Sequence, residues 1–148
     1  MGRMSSVPFR HRIRLLGPVL ALTVLAGLPK AGGAALPLDP ETERLLVEAV
    51  ESAAALDFYN ARCRSDNSGR STDNLNKELV SKLRLTVISV QDDHFPEQGY
   101  RQAQQRMQEQ FLTTLREAGG CKGAKESGLP ERLRARYHEK LEAVESLP

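Results

Sequence analysis

From Asp39 onward, apolar residues recur at intervals of three and four in one stretch after another. That spacing confines the chain to helices that each bury one face. The first stretch opens with Asp39-Pro40-Glu41, an N-cap, a proline at the first helical position and an acid in the first turn, where it complements the helix dipole. Leu45, Leu46, Ala49, Val50, Ala53, Leu56 and Tyr59 follow on one stripe and predict a helix over about 40–62. Arg64 to Ser71, rich in Ser, Asp, Asn and Gly, reads as the loop that follows.

The second stretch places Leu75, Leu79, Leu83, Val87 and Val90 on a stripe. Its half from Leu83 to Val90 also alternates and is rich in β-branched residues, which suits a strand. The stripe runs unbroken from Leu75 and no second strand is at hand to pair with, so the expectation is a helix over about 73–93. Pro96 ends it, because proline disfavours the helical conformation in the residue before it. Tyr100, Ala103, Met107, Phe111, Leu115 and Ala118 define the third helix, about 97–118, with Gly119-Gly120 as its stop. After a loop from Lys122 to Gly128, Leu133, Tyr137, Leu141, Val144 and Leu147 define the fourth, about 130–147.

Four amphipathic helices on short connections predict an all-α fold, a small antiparallel four-helix bundle. In that topology the first and third helices run parallel and end at one pole. Cys63 and Cys121 stand at those two ends, and a bond needs their Cα atoms within roughly 7 Å, so one disulfide is predicted. Two lone cysteines are too few for a structural zinc.

The first 35 residues have another character. Arg3, Arg10, Arg12 and Arg14 precede an apolar run from Leu15 to Leu28, and small residues follow up to Ala35. This order is that of a signal peptide, cleaved after Ala35 to leave one helical domain over 36–148. The apolar run carries Gly17 and Pro18 and falls short of the roughly 20 residues of a spanning helix, so no lasting membrane anchor is expected. The chain holds 21 Lys plus Arg against 19 Asp plus Glu, and five of the basic residues but none of the acids precede Leu36. The remainder has 16 basic against 19 acidic residues, a balance of −3 that argues against general nucleic-acid binding. Export also places Cys63 and Cys121 where disulfides persist.

No reaction motif emerges. His94 and His138 stand apart, Ser68 and Ser71 lack an activating base pattern, and Gly119-Gly120-Cys121-Lys122-Gly123 lacks the spacing of a phosphate loop. Asp92, Asp93, His94 and Glu97 cluster locally, but a charged helix end followed by a turn accounts for them. No catalytic residue, cofactor or metal is expected. The expected function is that of a small exported protein, periplasmic or secreted, that works without catalysis by binding a protein partner in the cell envelope. An adaptor, a chaperone, or an inhibitor or immunity protein would act so. The alternatives are a secreted signalling bundle, disfavoured by the short connections, and an envelope enzyme without a recognisable motif. Two surface features could meet the partner. A disulfide would draw Arg62, Arg64, Arg70, Lys122 and Lys125 to one cationic pole, and Val47, Val80, Leu85 and Ile88 lie off the main stripes.

Overall fold

Asp39 starts the first helix as its spacing implies. Its Oδ1 accepts the Glu41 and Thr42 N–H groups at 3.0 Å each, and its Oδ2 accepts the Thr42 hydroxyl at 2.6 Å. The bonds from Thr42, then from Glu41, hold the Asp39 carboxyl below the usual carboxylate range. The computed structural model describes residues 37–148, so the expected signal peptide and its cleavage site lie outside the described residues. Helix α1 (Pro40–Arg64) runs two residues past its expected end and is closed by Ser65 in the left-handed region, φ 56°.

Six helices form, not four, and the described residues contain no strand. The second stretch breaks into α2 (Arg70–Leu83) and α3 (Val87–Asp93). Arg84 turns left-handed at φ 57°, with its N–H on the Val80 carbonyl and that of Leu85 on the Leu79 carbonyl, at 3.2 and 3.3 Å. Such a closure satisfies the last orphan carbonyls of α2. Thr86 and Ser89 then start α3 as a reciprocal capping box. Residues 83–90 are therefore neither one helix nor a strand. Helix α4 (Tyr100–Glu117) begins three residues later than expected. The loop expected over 122–128 is mostly α5 (Gly120–Glu126), and α6 (Leu129–Glu145) completes the chain.

Helix α1 is the hub. Beyond the stripe of Leu46, Ala49, Val50 and Ala53, it also buries Ser52 and Ala54. Burial on more than one face is what a central helix requires, and α1 packs against α2, α3, α4 and α6. The Ser52 hydroxyl donates to the Ala49 carbonyl at 2.8 Å and so carries no unmet polar group into the interior. The main core joins these residues to Leu75, Leu79, Val87, Val90, Phe95, Ala103 and Val144. A second, smaller core of Tyr59, Phe111, Leu115, Ala124 and Leu129 fills the end where α1 stops.

The starts of α2, α3 and α4 each receive a side-chain bond from a preceding helix, whereas Gly119 and Gly128 start α5 and α6 with no side-chain cap. Asp57, on α1, accepts the Ser71 and Thr72 N–H groups of α2 at 3.0 and 2.8 Å. Asn76, on α2, accepts the Val87 N–H of α3 at 2.9 Å, and Asp92, on α3, accepts the Tyr100 N–H of α4 at 2.7 Å. Each cap fixes the entry of one helix against an element that precedes it.

Candidate functional site: the disulfide pole

Cys63, in the last turn of α1, is bonded to Cys121, in the first turn of α5, with Cα atoms 5.4 Å apart. The bond thus reaches α5 rather than the end of α4, because Gly119 takes φ 85° and turns the chain straight into the next helix. Gly123 lets α5 close against α4: a Cβ there would overlap the Ala118 carbonyl oxygen. Ala124, fully buried, seats α5 on the small core beside Tyr59 and Leu129. The disulfide therefore sits on a packed floor at one end of the molecule.

Two different surfaces lie on its two sides. On one, a cavity of about 710 Å³ runs along the α4 side, lined by Leu112, Leu115, Gly120 and Cys121 and rimmed by Arg62 and Arg116. It shares Arg62 and Leu112 with a second hollow of about 300 Å³, whose lining includes Phe58, Ala61 and Phe111. Together they form one apolar groove between the C-terminal half of α1 and α4. On the other side a polar cavity of about 400 Å³ is bounded by Arg64, Lys125, Arg134 and Glu131, with buried Tyr59 and Pro130 beneath.

The five cationic residues singled out from the sequence are distributed between these surfaces. Arg62 rims the groove, and Arg64 and Lys125 line the polar cavity. Arg70 begins α2 beside Asp66. Hydrogen bonds from Ser68, and then the Arg70 and Arg64 charges, hold the Asp66 carboxyl below its usual range. Lys122 reaches Glu126 at 3.9 Å, one turn along α5. Arg116 and Arg134, which the sequence reading passed over, complete the two rims. Both stand on helix faces that read as ordinary solvated surface, and only the placement of α5 brings Arg134 to the pole.

Several of the other residues weighed in the sequence are held in structural contacts, whereas Asp93 and His138 are exposed. His94 Nδ1 lies 2.7 Å from Glu43 Oε1, tying the end of α3 to α1. Glu97 meets Arg106, and Asp92 caps α4. Ser68 and Ser71 donate their backbone N–H groups to Asp66 and Asp57. Among the described residues, no three His, Cys, Asp or Glu side chains converge as metal ligands, and no helix is long and apolar enough to cross a membrane. Val47 and Leu85 are partly buried against the main core, whereas Val80 and Ile88 are exposed to 46% and 53%. Single exposed apolar residues of that kind are ordinary, so the groove is the stronger candidate for a docking surface. No protein-family model, curated protein or solved structure matches this chain.

Proposed function

We propose that this is an exported, non-catalytic helical protein, four long helices braced by two short ones, that binds a protein partner in the cell envelope through the groove beside its disulfide. The observation that carries this reading is the continuity of the groove: the two hollows share Arg62 and Leu112, and Phe58, Ala61, Phe111, Leu112 and Leu115 form an apolar trough between α1 and α4. Peptide-binding grooves of this make-up take the apolar face of an amphipathic helix. Arg62 and Arg116 outnumber the carboxylate of the same lining, Glu109, and so favour a partner helix that carries acidic residues beside that face. The leader over residues 1–35 and the Cys63–Cys121 bond both fit an oxidising compartment outside the cytoplasm, the periplasm being the simplest. The partner class includes targets of an adaptor, a chaperone or an inhibitor.

The test is site-specific photocrosslinking in the native envelope. A photoreactive residue at Thr113, on the groove wall, is expected to yield a discrete protein adduct, and Leu112→Glu is expected to abolish it. The same group at Glu139, on the exposed face of α6, is expected to yield none. Equal adducts at both positions, or an adduct indifferent to Leu112→Glu, would overturn the reading.

A further inference from the structure

The polar cavity on the far side of the disulfide from the groove has its own chemistry. Arg64 comes from the last turn of α1, Lys125 from the last turn of α5 and Arg134 from α6, so three helices each send one cation to one hollow of about 400 Å³. None of the three has an ion-pair partner among the described residues. Glu131 is the one carboxylate in the lining, which leaves a surplus of two positive charges. Cations gathered round one hollow repel one another, and an anion bound between them turns that repulsion into attraction. The first turn of α6, at Pro130 and Glu131, also faces the hollow, and its N-cap, Gly128, brings no capping side chain. The macrodipole of α6 thus favours negative charge at the same place.

We propose that this cavity binds a phosphomonoester group. Two guanidinium forks and an ammonium suit a compact, multiply charged oxyanion better than a single carboxylate, because planar Arg forks pair with two phosphate oxygens at once. The Cys63–Cys121 bond ties α1 to α5 and so fixes the backbone positions from which Arg64 and Lys125 reach. Preorganisation of this kind raises affinity by lowering the ordering cost of binding. The site is separate from the apolar groove and survives if the groove has no partner.

The test uses the oxidised protein and two sources of the same chemistry, inorganic phosphate in low-salt solution and phosphatidylcholine vesicles carrying phosphatidic acid. Amide shifts on phosphate titration are expected at Arg64, Lys125 and Glu131. Arg64→Gln with Arg134→Gln is expected to weaken binding at least tenfold, and Glu131→Gln to tighten it several-fold. Both changes lie at exposed side chains, and the melting temperature checks that the fold is intact. Arg44→Gln, near the opposite end of α1, is expected to change nothing. Binding of the vesicles but not of free phosphate would assign the group to a lipid headgroup, and the converse to a soluble ligand. Binding unaffected by the double variant, equal weakening by Arg44→Gln, or tighter binding of an oligoglutamate peptide than of either phosphate source would overturn the proposal.

Discussion

Asp57 Oδ2 accepts the backbone N–H of Thr72 at 2.8 Å, across fifteen residues of chain, while its other oxygen takes the neighbouring N–H of Ser71. Helix α2 has only Gly69 at its N-cap, with no side chain of its own to satisfy the first turn. A carboxylate on α1 therefore performs the capping and fixes where α2 begins. Asp57→Ala is expected to cost about 1–2 kcal/mol, the loss of a good cap, and Asp57→Asn less. Chemical denaturation measures the cost. Hydrogen exchange at the Ser71 and Thr72 amides locates it, and unchanged protection there would refute the assignment.

Tyr137 gives the fold an alkaline limit. Its buried hydroxyl makes no well-formed hydrogen bond, and burial first, then the Asp57 carboxylate, pushes its pKa up, against a weaker polar contact with Asn74 that pulls the other way. The folded state thus holds the phenol proton more tightly than the unfolded chain, whose tyrosines titrate near 10. That contribution is complete below about pH 10 and is lost as the pH rises beyond it. Tyr137→Phe is expected to flatten the loss of stability above about pH 10. Near neutrality it is expected to cost little, because it also removes an unsatisfied buried group. Denaturation midpoints on either side of that pH decide the matter.

Reduction of Cys63–Cys121 releases a loop closed over a sequence separation of 58 residues. Chain entropy sets the expected loss at about 4 kcal/mol. The Cys63→Ser/Cys121→Ser double variant is expected to show a comparable drop by denaturation. Its loosening should concentrate in α5, which the bond holds against the small core. A variant as stable as the oxidised protein would show that packing of Ala124 and Leu129 suffices.

How far the fold could be read before the structure depended on whether the deciding signal was local. The start of α1 was legible because Asp39-Pro40-Glu41 carries its own cap, and the stripes of α4 and α6 because each faces one side. The interruption at Arg84 was not, because the left-handed closure there uses arginine where glycine is the usual marker. Thr86 with Ser89 is the local signal of the restart, and the apolar stripe that continues through it masks it. Helix α5 was hidden for the opposite reason: Gly119, Gly120 and Gly123 read as loop, yet Gly123 is there for a close approach to Ala118, and the disulfide supplies what propensity lacks. The cysteines gave the disulfide, but the groove and the polar cavity beside it depend on where α5 and α6 pass, which no spacing along one helix encodes.

The closure at Arg84 can itself be relieved. A residue with a Cβ costs energy at φ 57°, and Arg84 is exposed. Arg84→Gly is expected to stabilise the protein by up to about 1 kcal/mol, a gain partly offset by the greater freedom of glycine in the unfolded chain. Thermal denaturation would register it as a rise of a few degrees, and a fall would mean that the arginine side chain contributes more than its backbone strain.

Arg106 is a polar crosslink between three parts of the fold. From α4 its Nε donates to Glu97 and its Nη1 and Nη2 each lie 3.1 Å from Glu51 Oε1 on α1. Its guanidinium carbon stands 5.5 Å from the centre of the Phe95 ring, which is buried. One planar cation thus joins the hub helix, the α3–α4 turn and α4, a geometry that a lysine ammonium cannot reproduce. The side chains of Arg106, Glu51 and Glu97 are 27%, 29% and 20% exposed, so water screens them in part. Arg106→Ala is accordingly expected to cost roughly 1–2 kcal/mol, less than the loss of one partner from a fully buried pair. Arg106→Lys is expected to recover less than half of it, because it restores charge without the fork. Glu51→Gln combined with Arg106→Ala separates attraction from mere packing: if the ion pair matters, the double variant is less destabilised than the sum of the singles. Strict additivity would leave the guanidinium's contact with Phe95 and Glu97 as the source of its effect.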